Sequence, residues 1–293
     1  MNYLRHFGLR EAPFGITPDT SYFFPCRATQ EAFNTLVVAV SNGEGFIKIT
    51  GEVGTGKTLL CRKFLGTLDA NWISAYVPNP SFEPRTLYFA LAEELGILVS
   101  PTLDQHQLLK TITRTLLDLA RQRKRVLLCM DESQAMSLET LEALRLLTNL
   151  ETEKRKLMQV VLFGQPELDR KLASQSIRQL LQRITFQHHM RGLEENEVGA
   201  YVAHRLAVAG FTGRELLSPG ALRALHRASR GIPRLVNILM HKALLLAYGE
   251  GRWTVERAHI RGAVHDTPAA APLSRWWFGG FGRGFGRGTA ARL

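Results

Sequence analysis

Short apolar runs along the chain predict the strands of a sheet. These runs lie at residues 46–50, 72–77, 126–130, 160–163 and 185–190, the last of them half polar. The runs at 126–130 and 160–163 have no polar face, which is typical of strands buried on both faces of a parallel sheet. Between the runs, apolar residues spaced three and four apart predict helices at residues 28–40, 57–68, 84–95, 104–123 and 138–150. Alternating strands and helices predict a doubly wound parallel α/β sheet, with its ligand at the carboxyl ends of the strands.

The pattern changes after residue 193, where the predicted strands stop. Helices at residues 194–209, 221–229, 233–248 and 255–265 predict a small all-helical domain. Prolines interrupt the aromatic residues of the first 25 positions, so an extended segment laid over the α/β domain is expected there. The tail is rich in glycine, arginine and aromatics, and it repeats Phe-Gly-Arg-Gly, which predicts disorder. The predicted units are a segment with the first helix at 1–43, an α/β core at 44–192, a helical lid at 193–266 and a tail at 267–293.

The overall charge is strongly basic. The formal net charge is +11, from 37 basic and 26 acidic residues. Without the four arginines after Asp266, 33 basic residues remain against the 26 acidic ones, so the rest of the chain is also basic. This balance favours polyanions, whether nucleic acid, anionic lipid or an acidic protein, and does not choose among them. No signal peptide and no apolar stretch long enough to span a bilayer is expected. The three cysteines are far apart in sequence, so buried free thiols in a reducing compartment are predicted.

A glycine-rich stretch between the first strand and the next helix matches the pattern G-x-x-x-x-G-K-[ST] at every fixed position. Its glycines permit positive φ values and let backbone N–H groups approach phosphate oxygens. Lys57 is expected to reach the β- and γ-phosphates, and the Thr58 hydroxyl to bind Mg²⁺. The predicted contacts to ATP are Gly51, Glu52, Val53, Gly54, Thr55, Gly56, Lys57, Thr58 and Leu59.

Two acids follow the apolar run at 126–130. An acid at the end of a strand beside the phosphate loop can hold Mg²⁺ through water, which suits Asp131. The next residue, Glu132, is then placed to polarise an attacking water. The alternative is that two acids simply end a strand at the solvent boundary. With the phosphate loop in the same chain, the pair predicts Mg-dependent ATP hydrolysis.

The motifs together resemble those of AAA+ ATPases, and more narrowly the ATPase domain of the ExeA/GspA secretion group. The MshM-type pilus-biogenesis branch of that group is nearest in length. The resemblance covers about residues 1–265. It rests, in chain order, on Phe7-Gly8-Leu9, Pro13-Phe14, Thr17-Pro18-Asp19, the phosphate loop, Asp131-Glu132-Ser133-Gln134, Gly164-Gln165-Pro166-Glu167-Leu168, Gln182-Arg183-Ile184 and Gly231-Ile232-Pro233-Arg234.

The resemblance implies three further catalytic residues. Gln165 takes the position of a polar sensor that touches the γ-phosphate or the attacking water, although a polar turn residue before Pro166 is the alternative. Arg183 matches the arginine presented to a neighbouring subunit's nucleotide, while Arg178 lies nearby and a solvated arginine remains open. Arg234 matches the sensor that couples the lid to the γ-phosphate. A cation at a helix N-terminus is opposed by the dipole, which favours a functional role.

The function expected from the resemblance is an oligomeric ATPase that assists assembly of a type II secretion or type IV (MSHA-like) pilus apparatus. Its expected location is cytoplasmic, with peripheral contact to the inner membrane. A DNA-transaction ATPase of the transposition-target or origin-binding type is the alternative, although no helix-turn-helix or zinc motif follows the lid. A nucleotide-gated adaptor with negligible hydrolysis is a third hypothesis.

The sequence departs from the secretion group in having no expected membrane span or cell-wall-binding region. Membrane attachment and peptidoglycan binding are therefore not carried over from the resemblance. In the tail, Trp276, Trp277 and Phe278 beside Arg275 could enter a bilayer interface. The Phe-Gly-Arg-Gly repeats could equally stack on single-stranded nucleic acid.

Overall fold

The computed structural model describes residues 2–152 and 155–273. Its strands are β1 (Phe46–Gly51), β2 (Trp72–Val77), β3 (Arg125–Met130), β4 (Glu151–Thr152), β5 (Arg155–Lys156), β6 (Met158–Gly164) and β7 (Ile184–Met190). Five of them form one parallel sheet in the order β2-β3-β6-β1-β7. The short strands β4 and β5 pair antiparallel, in a stretch that follows the helix predicted at residues 138–150.

Helices cover both faces of this sheet and then form a separate helical domain. The helices before that domain are α1 (Asn2–His6), α2 (Arg27–Ser41), α3 (Lys57–Leu65), α4 (Pro84–Glu94), α5 (Gln105–Arg121), α6 (Leu138–Leu147), α7 (Glu167–Leu172) and α8 (Arg178–Leu181). The helical domain contains α9 (Glu195–Val208), α10 (Pro219–Ser229), α11 (Pro233–Gly249) and α12 (Arg257–His265). This arrangement confirms the predicted doubly wound α/β fold with a small helical domain.

The strands are buried because apolar clusters pack against both faces of the sheet. On β1, Ile47 and Ile49 belong to the cluster that includes Leu60 of α3, whereas Phe46 belongs to the cluster on the opposite face. Residues 126–130 of β3 and every residue of β6 are buried, as the continuous apolar runs predicted, and every residue of β1 is buried as well. Parallel pairing brings the carboxyl ends of β1, β3 and β6 to one edge, where functional loops can meet.

The first 14 residues pack on the helical domain, which corrects the prediction that they lie over the α/β core. Tyr3, Phe7 and Phe14 are buried in the apolar core of the helical domain. The backbone N–H of Arg10 donates to the carbonyl of Ala209 at the end of α9, at 2.8 Å. The aromatic residues predicted burial correctly, but a sequence pattern does not state which apolar surface receives them. By contrast, α2 follows the prediction and packs on the core, against β7 and α3, and Phe23 packs against the same apolar cluster.

The carboxyl-terminal segment stays on the helical domain beyond the predicted boundary at residue 267. The Ala271 N–H donates to the carbonyl of Ala228 at 2.8 Å, and Leu273 packs against the helical core. Residues 267–273 are therefore ordered against the helical domain, and the rest of the predicted disordered tail, residues 274–293, lies outside the described residues.

Two further predictions concerned the cysteines and the absence of a membrane-spanning helix. Cys26, Cys61 and Cys129 are free and buried, as their separation in sequence predicted. Within residues 2–152 and 155–273, no helix combines the length and the apolar character that crossing a bilayer requires.

Candidate nucleotide-binding site

The phosphate loop connects β1 to α3, and α3 begins at Lys57 as predicted. Two of its glycines have positive φ, 85° at Gly54 and 98° at Gly56, which L side chains rarely adopt. A Cβ at Gly54 would also lie 2.4 Å from the Cβ of Arg234. Gly51 differs from the expectation, since its φ is not positive. A Cβ there would instead meet the Met190 carbonyl at 2.9 Å, so close packing is what requires glycine.

Lys57 is held inside the loop. Its side-chain Nζ donates to the carbonyl oxygens of Gly51 at 2.8 Å and Glu52 at 3.0 Å, and the residue is 5% exposed. Burial lowers the pKa of Lys57, while the nearby carboxylates of Glu132 and Asp131 act in the opposite direction. The loop therefore keeps a poorly hydrated cation at the start of α3, where the helix dipole also attracts anions.

Thr58 and Asp131 meet across the same edge of the sheet. The Thr58 hydroxyl donates to Oδ2 of Asp131 at 2.5 Å, and the Glu132 backbone N–H donates to Oδ1 at 2.9 Å. Tyr76 OH also lies 3.3 Å from Oδ2. Burial raises the pKa of Asp131, whereas the hydrogen bonds from Thr58 and the Glu132 backbone lower it. A hydroxyl and a carboxylate this close are the hard oxygen donors that Mg²⁺ takes alongside phosphate and water, so the pair fits the predicted ion.

Glu132 is held by two amide side chains. Gln134 Nε2 donates to Oε2 of Glu132 at 2.5 Å, and Gln165 Nε2 donates to the same oxygen at 3.0 Å. The backbone N–H of Gln165 in turn donates to the Gln134 side-chain oxygen at 3.0 Å. Glu132 itself has φ of 50°, a left-handed conformation that non-glycine residues adopt at a cost and often at functional sites. The structure thus joins the acid to the predicted sensor, and it adds Gln134, which the sequence analysis quoted in a motif without a role.

Arg234 comes from the helical domain and reaches the loop. It follows Pro233 at the start of α11, and its backbone N–H donates to the Gly54 carbonyl at 3.2 Å. Both Arg234 and the loop residues line the cleft between the two domains. Arg234 therefore lies beside the phosphate loop, and its role as a sensor stays a prediction.

Arg183 is not part of this site within one chain. It precedes β7 at the strand's amino end, where Ile184 is in register with Phe46. It therefore lies about 17 Å along the sheet from Gly51, at the opposite edge. Its Nη1 donates to Thr148 Oγ1 at 3.4 Å. This position excludes contact with the chain's own loop and leaves the role toward a neighbouring subunit as a prediction, shared with Arg178.

The far wall of the cleft contains residues that sequence analysis missed. Residues 15–19 of the amino-terminal segment line it, together with Tyr201, Arg205 and Asn237 of the helical domain. Tyr201 and Arg205 lie on the buried stripe of α9, with Val198 and Val202. An arginine at helical spacing within an apolar stripe was the available signal, because a buried cation requires partners.

These residues form a buried hydrogen-bond network with the segment. Arg205 Nε donates to the Pro13 carbonyl at 2.5 Å, and Nη1 donates to Tyr201 OH at 3.1 Å. Tyr201 OH donates to Asn237 Oδ1 at 2.9 Å, and Asn237 Nδ2 donates to the Gly15 carbonyl at 3.2 Å. The helical domain therefore fixes the backbone of the segment that closes the cleft.

Comparisons with known proteins agree with this architecture. Residues 40–172 match the AAA domain family. The chain is 39% identical over 277 residues to general secretion pathway protein A of Aeromonas hydrophila, which covers 94% of this chain and 50% of that protein. The chain therefore spans about half the length of this curated relative.

Solved structures show the same fold at low identity. ORC2 of Aeropyrum pernix has a TM-score of 0.63 and 16% identity, covering 87% of this chain and 73% of that one. Cdc6p of Pyrobaculum aerophilum has a TM-score of 0.62 and 17% identity, covering 85% of this chain and 71% of that one. At these identities the likeness concerns the fold alone.

The parallel sheet, the phosphate loop and the helical domain above it define this chain as a P-loop NTPase of the AAA+ class. Within that class, the 39% identity across nearly the whole chain supports the ExeA/GspA group.

Proposed function

We propose that this protein binds Mg-ATP in the cleft between the α/β core and the helical domain, and that it hydrolyses the nucleotide. The observation that carries the proposal is the meeting of Thr58 with Asp131 at 2.5 Å, next to the buried ammonium of Lys57. A cation, a hydroxyl and a carboxylate at one helix N-terminus suit a triphosphate and its metal. The related fold of ORC2 was solved as ADPNP–ADP complexes.

Each residue of the site has a role in this proposal. The backbone N–H groups of residues 51–59 and Lys57 bind the phosphates. Thr58 and Asp131 would hold Mg²⁺, which supplies neutralisation of phosphate charge when bound. Glu132 orients and polarises the attacking water, and its own carboxylate is positioned by Gln134 and Gln165.

Two arginines complete the proposed site from different directions. Arg234 transmits the presence of the γ-phosphate to the helical domain, because it is a residue of α11 and its backbone N–H donates to the Gly54 carbonyl. Arg183 acts on the nucleotide of the next subunit in an oligomer, since it lies at the opposite edge of its own sheet. Hydrolysis of ATP then moves the helical domain of each subunit relative to its α/β core.

The proposed cellular role is assembly of a type II secretion or type IV (MSHA-like) pilus apparatus, with partners among the proteins of that apparatus. The proposed location is the cytoplasmic face of the inner membrane. The similarity to general secretion pathway protein A supports this role. Loss of secretion or of surface pili after deletion of the gene, restored by the wild-type chain and not by Glu132→Gln, is the expected genetic result. Restoration by Glu132→Gln would separate the cellular role from hydrolysis.

The biochemical proposal is tested with two variants. Lys57→Ala should lose Mg-ATP binding by calorimetry, because the buried cation that meets the phosphates is removed. Glu132→Gln should still bind Mg-ATP but hydrolyse it at least about 100-fold more slowly, since an amide is a poor base. Glu93→Gln, an exposed acid on α4, is the matched control and should keep wild-type turnover. Unchanged turnover in Glu132→Gln would remove Glu132 from the mechanism.

A further inference from the structure

Two helices of the helical domain begin side by side. Leu217 and Val255, which precede α10 and α12, form a parallel β-bridge. The Ser218 N–H donates to the Val255 carbonyl at 3.1 Å, and the Val255 N–H donates to the Leu216 carbonyl at 2.7 Å. The first turns of α10 and α12 therefore lie at one level, so that side chains from both can reach the same point.

Three arginines surround a small hollow at this place. The hollow is about 140 Å³ and is lined by Gly220, Arg223, Ala224, Arg227, Arg257 and Leu273. Leu273 reaches it because the segment after α12 returns across α10, where the Ala271 N–H donates to the Ala228 carbonyl. We call this feature the arginine hollow.

The arginine hollow concentrates positive charge that the described chain does not neutralise. Arg223, Arg227 and Arg257 are exposed, and none has a hydrogen bond or ion pair with any residue that the structure describes. Some other exposed arginines are paired: Arg121 and Arg170 contact carboxylates at 2.8 Å and 2.6 Å.

Two features of this arrangement are unfavourable without an anion, although Arg227 lies in the last turn of α10, where the helix dipole favours a cation. Arg223 and Arg227 are four residues apart on α10, a spacing at which like charges repel. Arg257 is the first residue of α12, where the positive end of the helix dipole opposes a cation, and the carboxylate of Glu256 caps the same helix end without forming an ion pair with Arg257. A bound anion would reduce both the repulsion between the arginines of α10 and the unfavourable interaction of Arg257 with the helix dipole. Guanidinium groups form bidentate hydrogen bonds to phosphate oxygens.

We propose that the arginine hollow binds the phosphate of an anionic phospholipid and so docks the helical domain on an anionic membrane surface. Three arginines close around one hollow, which suits a single phosphate group. A nucleic-acid backbone would instead require cations spaced along successive phosphates. The apolar side chain of Leu273 forms part of the same wall, as a lipid ligand would require.

The sequence that follows the hollow has the composition of a membrane-interface segment. After Leu273 come Arg275, Trp276, Trp277 and Phe278, and no acid follows Asp266 in the chain. Tryptophan is enriched at membrane–water interfaces, and clustered arginines are attracted to anionic leaflets. None of the residues of the arginine hollow lines the nucleotide cleft, so this proposal does not depend on ATP hydrolysis.

The test is flotation of the 293-residue chain with phosphatidylcholine vesicles that contain or lack phosphatidylglycerol. The test variant combines Arg223→Gln, Arg227→Gln and Arg257→Gln. The matched control removes three exposed arginines elsewhere, by Arg114→Gln, Arg214→Gln and Arg252→Gln. The wild type should bind only vesicles with phosphatidylglycerol. The affinity of the test variant for these vesicles should fall about fivefold per arginine, or roughly 100-fold in all. The affinity of the control variant should stay within about twofold of the wild-type value.

Without vesicles, the test variant should unfold at the temperature of the wild type or a few degrees above it, because the repulsion among the arginines is removed, and its Mg-ATP binding should match that of the wild type. If the triple variant does not fold, Arg257→Gln alone should still lose about fivefold in vesicle affinity. Equal binding of the test variant and the wild type would overturn the proposal, as would equal binding to both kinds of vesicle. Binding to a single-stranded oligonucleotide in place of vesicles, lost in the test variant, would assign the hollow to nucleic acid and overturn it too. A protein inactive toward ATP that still shows the vesicle pattern would leave this proposal standing and refute the proposed ATPase.

Discussion

The carboxylate of Asp131 is buried, since only 2% of the residue is exposed to water. Because burial raises its pKa, the folded state binds this proton more tightly than the unfolded state. The contribution of Asp131 to stability therefore falls as the pH rises from its ordinary value of 3.8 through the raised pKa. At neutral pH the buried, charged carboxylate therefore lowers the free energy of unfolding. This is expected for a side chain whose role is to bind a metal.

This predicts that Asp131→Asn stabilises the ligand-free protein at neutral pH. The melting temperature, followed by circular dichroism without nucleotide or Mg²⁺, should rise by about 2–4 °C at neutral pH. The difference should shrink as the pH approaches 3.8, where the wild-type carboxyl is protonated to a growing extent in both states. A lower melting temperature for the variant at neutral pH would mean that the hydrogen bonds from Thr58 and Glu132 outweigh the cost of burial.

Gly54 illustrates how one residue joins the two domains. Its φ of 85° constrains the backbone, and the 2.4 Å that would separate an added Cβ from the Cβ of Arg234 constrains the approach of the helical domain. Gly43 has a similar φ of 81°, but a Cβ there would meet nothing within 4 Å. Alanine substitutions at these two glycines therefore distinguish the cost of backbone strain from the cost of a clash between the domains.

Both Gly54→Ala and Gly43→Ala should lose about 1 kcal/mol of unfolding free energy from the left-handed backbone. Gly54→Ala should lose more, and its Mg-ATP affinity should also fall, because Arg234 must move away from the loop. Chemical denaturation and calorimetry on the two variants measure these effects. Equal affinity for nucleotide in both variants would show that the position of Arg234 does not matter for binding.

At the scale of elements, the amino-terminal segment and α9 act as one unit. Arg205 donates to the Pro13 carbonyl at 2.5 Å and to the Gly15 carbonyl at 3.3 Å, and its guanidinium carbon lies 4.3 Å from the ring centre of Tyr22. The segment has few regular hydrogen bonds of its own, so these contacts determine where residues 15–19 lie. They place this segment in the wall of the nucleotide cleft.

Arg205→Met keeps the apolar stem and removes the donors. It should cost about 1–3 kcal/mol, because a buried carbonyl loses its partner. Hydrogen exchange of residues 15–19 should accelerate, and Mg-ATP affinity should fall with it. Arg214→Met, in an exposed loop of the same domain, is the control and should change neither. Unaltered exchange in Arg205→Met would show that apolar packing of Tyr3, Phe7 and Phe14 is sufficient to hold the segment.

At the scale of the whole molecule, the site of one chain is incomplete if Arg183 serves a neighbour. Arg183 and the phosphate loop lie at opposite edges of the same sheet, so one chain does not bring them together. An oligomer in which one subunit's amino edge faces the next subunit's cleft would do so. This arrangement predicts an interaction between defective subunits.

Arg183→Ala and Lys57→Ala should each abolish hydrolysis when assayed alone. Mixed together, they should regain part of the activity, because a Lys57→Ala subunit still presents Arg183 to an intact cleft. The same mixing with Arg178→Ala shows which of the two arginines acts between subunits. Absence of recovery in both mixtures, under conditions where oligomers form, would assign Arg183 a structural role through Thr148.

The residues within short motifs were predictable because their function depends on backbone spacing that the sequence contains. The loop from Gly51 to Thr58 needs only a preceding strand and a following helix, and Asp131 needs only to end a strand. Parallel pairing then brings both to one edge, which is why the sequence sufficed to predict their meeting. Gln134 and Arg205 were missed as functional residues because their partners are distant in sequence or depend on side-chain direction.

Apolar periodicity and fixed local spacing were enough to establish the parallel α/β core, the phosphate loop, the acid pair and the presence of a helical domain. The packing of the folded chain was needed to show that the first 14 residues lie on the helical domain, that residues 15–19 close the cleft, and that Arg223, Arg227 and Arg257 share one hollow. Each of these depends on which surfaces meet, and periodicity shows that a face is buried without showing what covers it.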